Sequence, residues 1–347
     1  MSFFVKGIFL EQKKEPMLTR SILSVGKEYE TFDYDFGSDE KEPDGKQITE
    51  VARLAEIVDE SDGKMLWEKL EKTNLGEGGT LIIDAVDDEP YISSQMSICI
   101  HHPEEVAAGI ELCEKVLAPE HIYIAMYRHI LDANLGIPKK VGKYSVKKIG
   151  GRYPAETRAY RHIPKGKNSV VIGSCALFHL AKAMEEKRKM STCFITVAGD
   201  AVKNPRNVEV PVGTSVEKVI ELCGLNEEPE VIVMGGSMTG RSIFEPENEV
   251  VGPTTRGIIA LTRSYSGRNY NCIGCGRCDH ACPKALSVSS LRKFAEFGKL
   301  EKMERYDIAQ CTGCGACSYV CPSRIDVAAT ILKAKKQIEL AKKEGKL

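Results

Sequence analysis

The chain has 347 residues, 42% of them hydrophobic and 28% charged, with a formal net charge of −1. This length implies two or three folded units, the near-neutral balance gives no reason to expect nucleic acid or an acidic substrate, and no apolar run reaches the roughly 18 residues that span a bilayer. The N-terminal MSFFVKGIFLEQKKEP lacks the long apolar region and small-residue cleavage site of a secretory signal, so a cytoplasmic protein with no transmembrane segment is expected.

In chain order, residues 1–63 are polar and poorly defined, and DYDFGSDEKEPDGKQ reads as a loop. MLWEKLEKT then suits a short helix and TLIIDAV (80–86) a buried strand. Val106, Ile110 and Cys113 recur at helical spacing, HIYIAM follows as a strand, and SVVIG (169–173) feeds a helix beginning near Cys175. Strands alternating with helices predict a mostly parallel sheet, an α/β domain over 64–190 with a Rossmann-like arrangement. His101 and His102 before Pro103 read as the turn that starts a helix, and the seven histidines form no metal constellation. Asp87, Asp88 and Glu89 read as a solvated strand end, with metal binding as the alternative.

Over 191–263 the strands shorten. CFITVAG and VEVPVG flank the turn KNPRN, Thr214 with Glu217 suits a capping box opening VEKVIELC, and Gly224 stops that helix before the strand EVIVMGG. A hairpin, a helix and a returning strand predict a β-grasp module. Residues 264–347 hold the cysteine-rich region and a lysine-rich helix from about Val327. Val327, Ile331 and Ile338 share one face of it, read as a core-facing stripe; docking on an anionic membrane surface is the alternative.

Of thirteen cysteines, Cys99, Cys113, Cys175, Cys193 and Cys223 are scattered through apolar segments, where a thiol packs as a small hydrophobe. The other eight lie in CIGCGRCDHACP and CTGCGACSYVCP, two copies of C-x2-C-x2-C-x3-C-P. Soft thiolates at this spacing suit cubane iron–sulfur clusters, three cysteines holding one cluster while the fourth reaches the other. One [4Fe–4S] cluster is therefore assigned to Cys272, Cys275, Cys278 and Cys321, and a second to Cys311, Cys314, Cys317 and Cys282. Gly274, Gly276, Gly313 and Gly315 permit the turns this wrapping needs. Structural zinc is the alternative, although zinc ribbons separate their CxxC pairs. Two clusters would make an electron-transfer protein, with Arg277 and Arg324 beside the cysteines to orient an acidic partner.

The order of modules resembles the RnfC-like family of Rnf electron-transport complexes, relatives of the complex I flavoprotein subunit and similar to the proline-reductase-associated electron-transfer protein. The resemblance rests on DAVDDEPYIS (84–93), GRYPAE (151–156), TVAGDAVKNPRNVEVPVGT, GGSMTG (235–240) and GPTTRGIIAL (252–261), beside the cysteine runs. It implies an α/β fold binding FMN and NADH, an SLBB β-grasp module, and a two-cluster ferredoxin-like helical domain. The flavin motifs depart from the family pattern. NLGEGG (74–79) is short where the family has a longer glycine-rich loop, Asp84 stands where it has asparagine, and YPAE lacks its glycines. Gly76, Gly78, Gly79 and Glu89 are the candidates for a residual flavin or nucleotide site, in an α/β domain read as degenerate and expected to hold no FMN. The expectation is an electron-transfer protein between a flavoprotein donor and an acceptor reductase, associated with a membrane only through a complex. The alternatives are an FMN-dependent NADH-oxidising subunit and a corrinoid- or partner-binding adaptor acting through the β-grasp module.

Overall fold

The computed structural model describes residues 20–26, 29–34, 42–73, 75, 78–127, 137–151, 153–155, 168–263 and 270–345. A short strand, β1 (Leu23–Ser24), precedes the helix Gly45–Leu54. Asp44 accepts the Gln47 N–H at 2.8 Å and the Gln47 side chain accepts the Asp44 N–H at 2.9 Å, so two donors that the helix leaves free are satisfied reciprocally. The helix buries Ile48, Val51 and Ala52 in the α/β core. The boundary expected at residue 63 therefore falls inside a packed unit, because a few apolar positions among polar neighbours suffice to seat one helix face.

The hairpin β2 (Val58–Asp59) and β3 (Lys64–Met65) leads into the helix Leu66–Lys72. β4 (Thr80–Ala85) is buried at every residue, as a central parallel strand covered on both faces must be. Helices Ser94–His101 and Pro103–Leu117 follow, then β5 (His121–Tyr127), β6 (Lys140–Val141), β7 (Tyr144–Ile149), β8 (Ser169–Gly173) and the helix Ser174–Glu186. The sheet order is β6-β7-β5-β4-β8, parallel apart from the β6 edge. His102 occupies the N-cap position before Pro103 without a side-chain capping bond and sets its ring edge-on to Phe178 at 5.0 Å. Gly109 lets two helices touch, since a Cβ there would lie 2.2 Å from the Leu177 carbonyl oxygen. Cys99, Cys113, Cys175, Cys193 and Cys223 are all buried, and burial raises their thiol pKa values.

The next module holds β9 (Thr192–Ala198), β10 (Arg206–Pro211), the helix Val216–Cys223, β11 (Val231–Met234), β12 (Arg241–Ile243) and β13 (Gly257–Leu261). Its sheet order is β1-β10-β9-β13-β11-β12, so β1 from the chain start pairs with β10. Ser215, not Thr214, caps the helix, accepting the Lys218 N–H at 3.4 Å; the Thr214 hydroxyl donates instead to the Pro211 carbonyl at 2.7 Å. Thr214 thus closes the preceding turn, which an S/T-x-x-E pattern does not distinguish from a cap. The two modules are joined by buried polar contacts: Ser93 N–H donates to Thr196 Oγ1 at 3.0 Å, and Thr196 Oγ1 bonds Asn207 at 2.7 Å.

The C-terminal region is helical, with Arg277–Ala281, Val288–Glu296, Leu300–Arg305, Ala316–Tyr319 and Val327–Lys343. The last helix buries Val327, Ile331, Ala334 and Ile338 against Leu291 and Met303, so its apolar stripe faces the core. Among the described residues no helix is long and apolar enough to cross a membrane.

Candidate metal centre

The two cysteine runs fold alike. Gly274, Gly276, Gly313 and Gly315 all have φ between 69° and 73°, in the left-handed region, so each run wraps rather than extends. Ala285 and Arg324, equivalent in the two halves, share φ of 54° and 55°. The short helix within each run is tied down in the same way, to the start of the helix that follows the run. Asp279 accepts the Ser289 N–H at 2.7 Å, and Ser318, its counterpart, accepts the Ala328 N–H at 2.8 Å.

Two cavities open between these elements. One is lined by Cys311, Cys314 and Cys317 together with Cys282, the last cysteine of the other run. The second is lined by Cys272, Cys275 and Cys278 together with Cys321. Four tetrahedral thiolates on one zinc would lie about 3.8 Å apart. Among the described residues no three His, Cys, Asp or Glu side chains converge as a single-ion site, and each cysteine set stands around a space instead. Four soft thiolates around a void are a donor set that fits a cubane cluster. Burial pushes the Cys317 thiol up to about 12 and raises Cys278 and Cys314, with neighbouring cysteines adding to the effect. Four thiolates clustered around one space need a cation among them, which iron would supply.

The repeat is broken by surroundings. Gly315 abuts the SLBB-like module, where a Cβ would lie 2.3 Å from the Met238 carbonyl oxygen, and the Tyr153 hydroxyl donates to the Cys314 carbonyl at 2.6 Å. Around Gly274 and Gly276 there is open space, Cys272 and Cys275 are exposed, and Ile273 is 70% and Tyr270 62% exposed.

Comparison with known proteins agrees with this geometry. Residues 194–242 match the SLBB domain and residues 271–325 the 4Fe-4S dicluster domain. The RnfC protein of the Na(+)-translocating ferredoxin:NAD(+) oxidoreductase complex of Acetobacterium woodii is 29% identical over 76% of this chain and 64% of its own length. The RnfC protein of the ion-translocating oxidoreductase complex of Rhodobacter capsulatus is 31% identical over 64% of this chain and 46% of its own. The chain is a relative of RnfC. It spans less than two thirds of the length of either relative. In fold it is similar to a chain of an NAD+-reducing [NiFe]-hydrogenase in the H2-reduced state, with a TM-score of 0.50 at 15% identity, over 84% of this chain and 53% of that one.

In this RnfC relative the residues named for a flavin site are dispersed. Gly78 and Gly79 sit at the N-terminal end of β4. The Gly78 N–H donates to Glu120 at 2.6 Å, and a Cβ on Gly79 would lie 2.4 Å from Leu75 Cβ. Gly76, Asn74 and Glu156 lie outside the described residues. Glu89 is beyond the other end of the strand, accepting the Met238 N–H at 2.8 Å and bonding the Thr239 hydroxyl. Its neighbours are not a solvated strand end: Asp87 is buried and accepts the Met96 N–H at 2.8 Å, and Asp88 accepts the Ala155 N–H. A helix start and a turn recruit these acceptors, because their free N–H groups lack other partners. Asp84 is buried too, with Oδ1 on the Val86 N–H at 2.9 Å and Oδ2 3.6 Å from Arg256. This edge of the sheet is crowded with carboxyl groups and does not fit the phosphate of a flavin.

Sequence reasoning missed Asp59, Glu60 and Lys69, which reach that edge from the β2–β3 hairpin and the following helix. An acidic pair in a polar stretch carries no signal of burial.

Proposed function

We propose that this chain passes single electrons through two [4Fe–4S] clusters, one on Cys272, Cys275, Cys278 and Cys321 and the other on Cys311, Cys314, Cys317 and Cys282, between a flavoprotein donor and an acceptor reductase. The observation that carries the reading is the lining of the cavities, each drawn from three cysteines of one run and the last of the other. Bound cubanes supply one-electron steps and make no bonds to substrate. The protein's own contribution is to hold eight thiolates and to restrict access. Tyr153, Met238 and Gly315 fix the second loop against the body of the chain, while the first loop, with Ile273, Tyr270 and the exposed Arg277, is left open to a partner.

Both relatives are members of multi-subunit oxidoreductase complexes. We assign this chain a similar place, as a cytoplasmic component held at a membrane only through its complex. Hydride chemistry needs a two-electron to one-electron converter, and the crowded sheet edge supports placing that flavin in a partner, with the α/β domain as scaffold. Anaerobically purified protein is expected to carry about eight irons and eight acid-labile sulfides, with an EPR signal from two interacting clusters on reduction. Stoichiometric zinc without iron would refute the reading.

A further inference from the structure

In the order β7-β5-β4-β8, β4 has its next strand in sequence, β5, on one side and β8 on the other. Connections leave such a point in opposite directions and open a crevice beyond the C-terminal strand ends, where open parallel sheets take their ligands. The helix Ser174–Glu186 begins at that crevice, directly after β8, and its N-cap is Gly173, which has no side chain to satisfy the first free N–H groups.

Those groups are satisfied from elsewhere in the chain. Glu60, only 6% exposed, accepts the Cys175 N–H at 2.8 Å on Oε1 and the Ala176 N–H at 3.0 Å on Oε2. Asp59 Oδ1 accepts the Gly173 N–H at 3.1 Å. A Cβ on Gly173 would lie 2.0 Å from Glu60 Oε1, so the glycine is what admits the carboxyl group. Lys69 clamps the hairpin in place, its Nζ 2.6 Å from Asp59 Oδ2 and 2.9 Å from the Val171 carbonyl oxygen. Three N–H groups at a helix start are the donors a bound phosphate takes. Here two carboxyl groups of the chain already use them.

We infer that Glu60 is a resident carboxyl ligand in the sheet's anion seat and holds the α/β domain closed to phosphate-bearing nucleotides such as FMN. Asp84 and Asp87, buried at the end of β4, crowd the same edge, where Arg256 lies 3.6 Å from Asp84 Oδ2. The inference deepens the scaffold role given above to the α/β domain and is independent of the cluster assignment.

Chemical rescue of full-length Glu60→Ala tests it, with unfolding followed through Trp67, the chain's one tryptophan, on the helix next to the hairpin. The variant should unfold at a lower temperature than wild type. Formate or inorganic phosphate at constant ionic strength should restore roughly half of that loss or more in a saturable way, because an anion that binds only the folded seat stabilises it. Wild type should not respond beyond the chloride control. Equal responses of variant and wild type would overturn the proposal. Should Glu60→Ala fail to fold, titration of wild type with FMN decides: no saturable change in flavin fluorescence polarisation is expected, and one FMN bound per chain would overturn it. Iron and sulfide content of the same samples reports on the cluster reading separately.

Discussion

Gly276 and Gly315 hold equivalent places in the two cysteine runs, with φ of 69° and 71°, yet only Gly315 has a neighbour. Gly276→Ala should therefore cost only the strain of a left-handed alanine, about 1–2 kcal/mol. Gly315→Ala adds a collision with the Met238 carbonyl and should cost more. Denaturant unfolding of both cluster-loaded variants, compared side by side, checks the order. Cross-ligation makes a second claim at this scale: Cys282→Ser should perturb the EPR signal of the cluster on Cys311, Cys314 and Cys317 and spare the one on its own run. The reverse pattern would mean that the topology is wrong. Tyr153→Phe removes one hydrogen bond to the Cys314 carbonyl and should loosen that loop by about 0.5–1.5 kcal/mol, read as faster amide exchange around Gly315.

The two helices beginning at the β4 and β8 strand ends are both capped by buried acids from outside themselves. Neither Ser93 nor Gly173 contributes a side-chain cap, and Asp87 and Glu60 supply the acceptors. Burial pushes the Asp87 carboxyl up to about 7, with Asp84 and Asp88 raising it further against the Met96 N–H and Arg256. Burial also raises Glu60, with Asp59 adding to it against its backbone donors and Arg256. A carboxyl whose pKa is higher folded than unfolded binds more protons in the native state, so stability is greatest below the unfolded value. It falls as pH rises toward the folded value and levels off above it. The Trp67-monitored unfolding midpoint should therefore drop between about pH 5 and pH 8, at no more than about 1.4 kcal/mol per pH unit for each group. Asp87→Asn should flatten the curve, and a midpoint that rises over this range would contradict these shifts.

Across the whole molecule, the α/β and SLBB modules together form a seat for one cysteine loop. Glu89 holds Met238 and Thr239, Met238 meets Gly315, and Tyr153 reaches Cys314. Glu89→Gln should weaken this clasp and shift the EPR signal of the cluster beside it more than that of the other. The open loop is the place for a partner. Charge reversal at Arg277 should lower partner-linked reduction several-fold at low salt, with the difference shrinking as ionic strength rises. An unchanged rate would remove Arg277 from the docking face.

The sequence by itself determined the metal chemistry and the element plan. Cysteine spacing is a local code, because three ligands within seven residues can wrap one cluster whatever surrounds them. Alternating apolar runs and helical periods likewise report which face of an element is buried. That is why β4, β5, β8, the β-grasp strands and the C-terminal helix were legible. Tertiary structure alone decided the rest. Glu60 and Asp59 lie far from Gly173 in sequence, and only chain crossing brings them to its helix; no local pattern marks an acid that will be buried. The cap on Val216–Cys223 went to Ser215 because Thr214 was already engaged with Pro211. The sequence also gives the two cysteine runs the same spacing, and it is their packing that makes one loop enclosed and the other exposed. Exposure is set by what folds against a loop, and Met238 against Gly315 and Tyr153 on Cys314 come from two other modules.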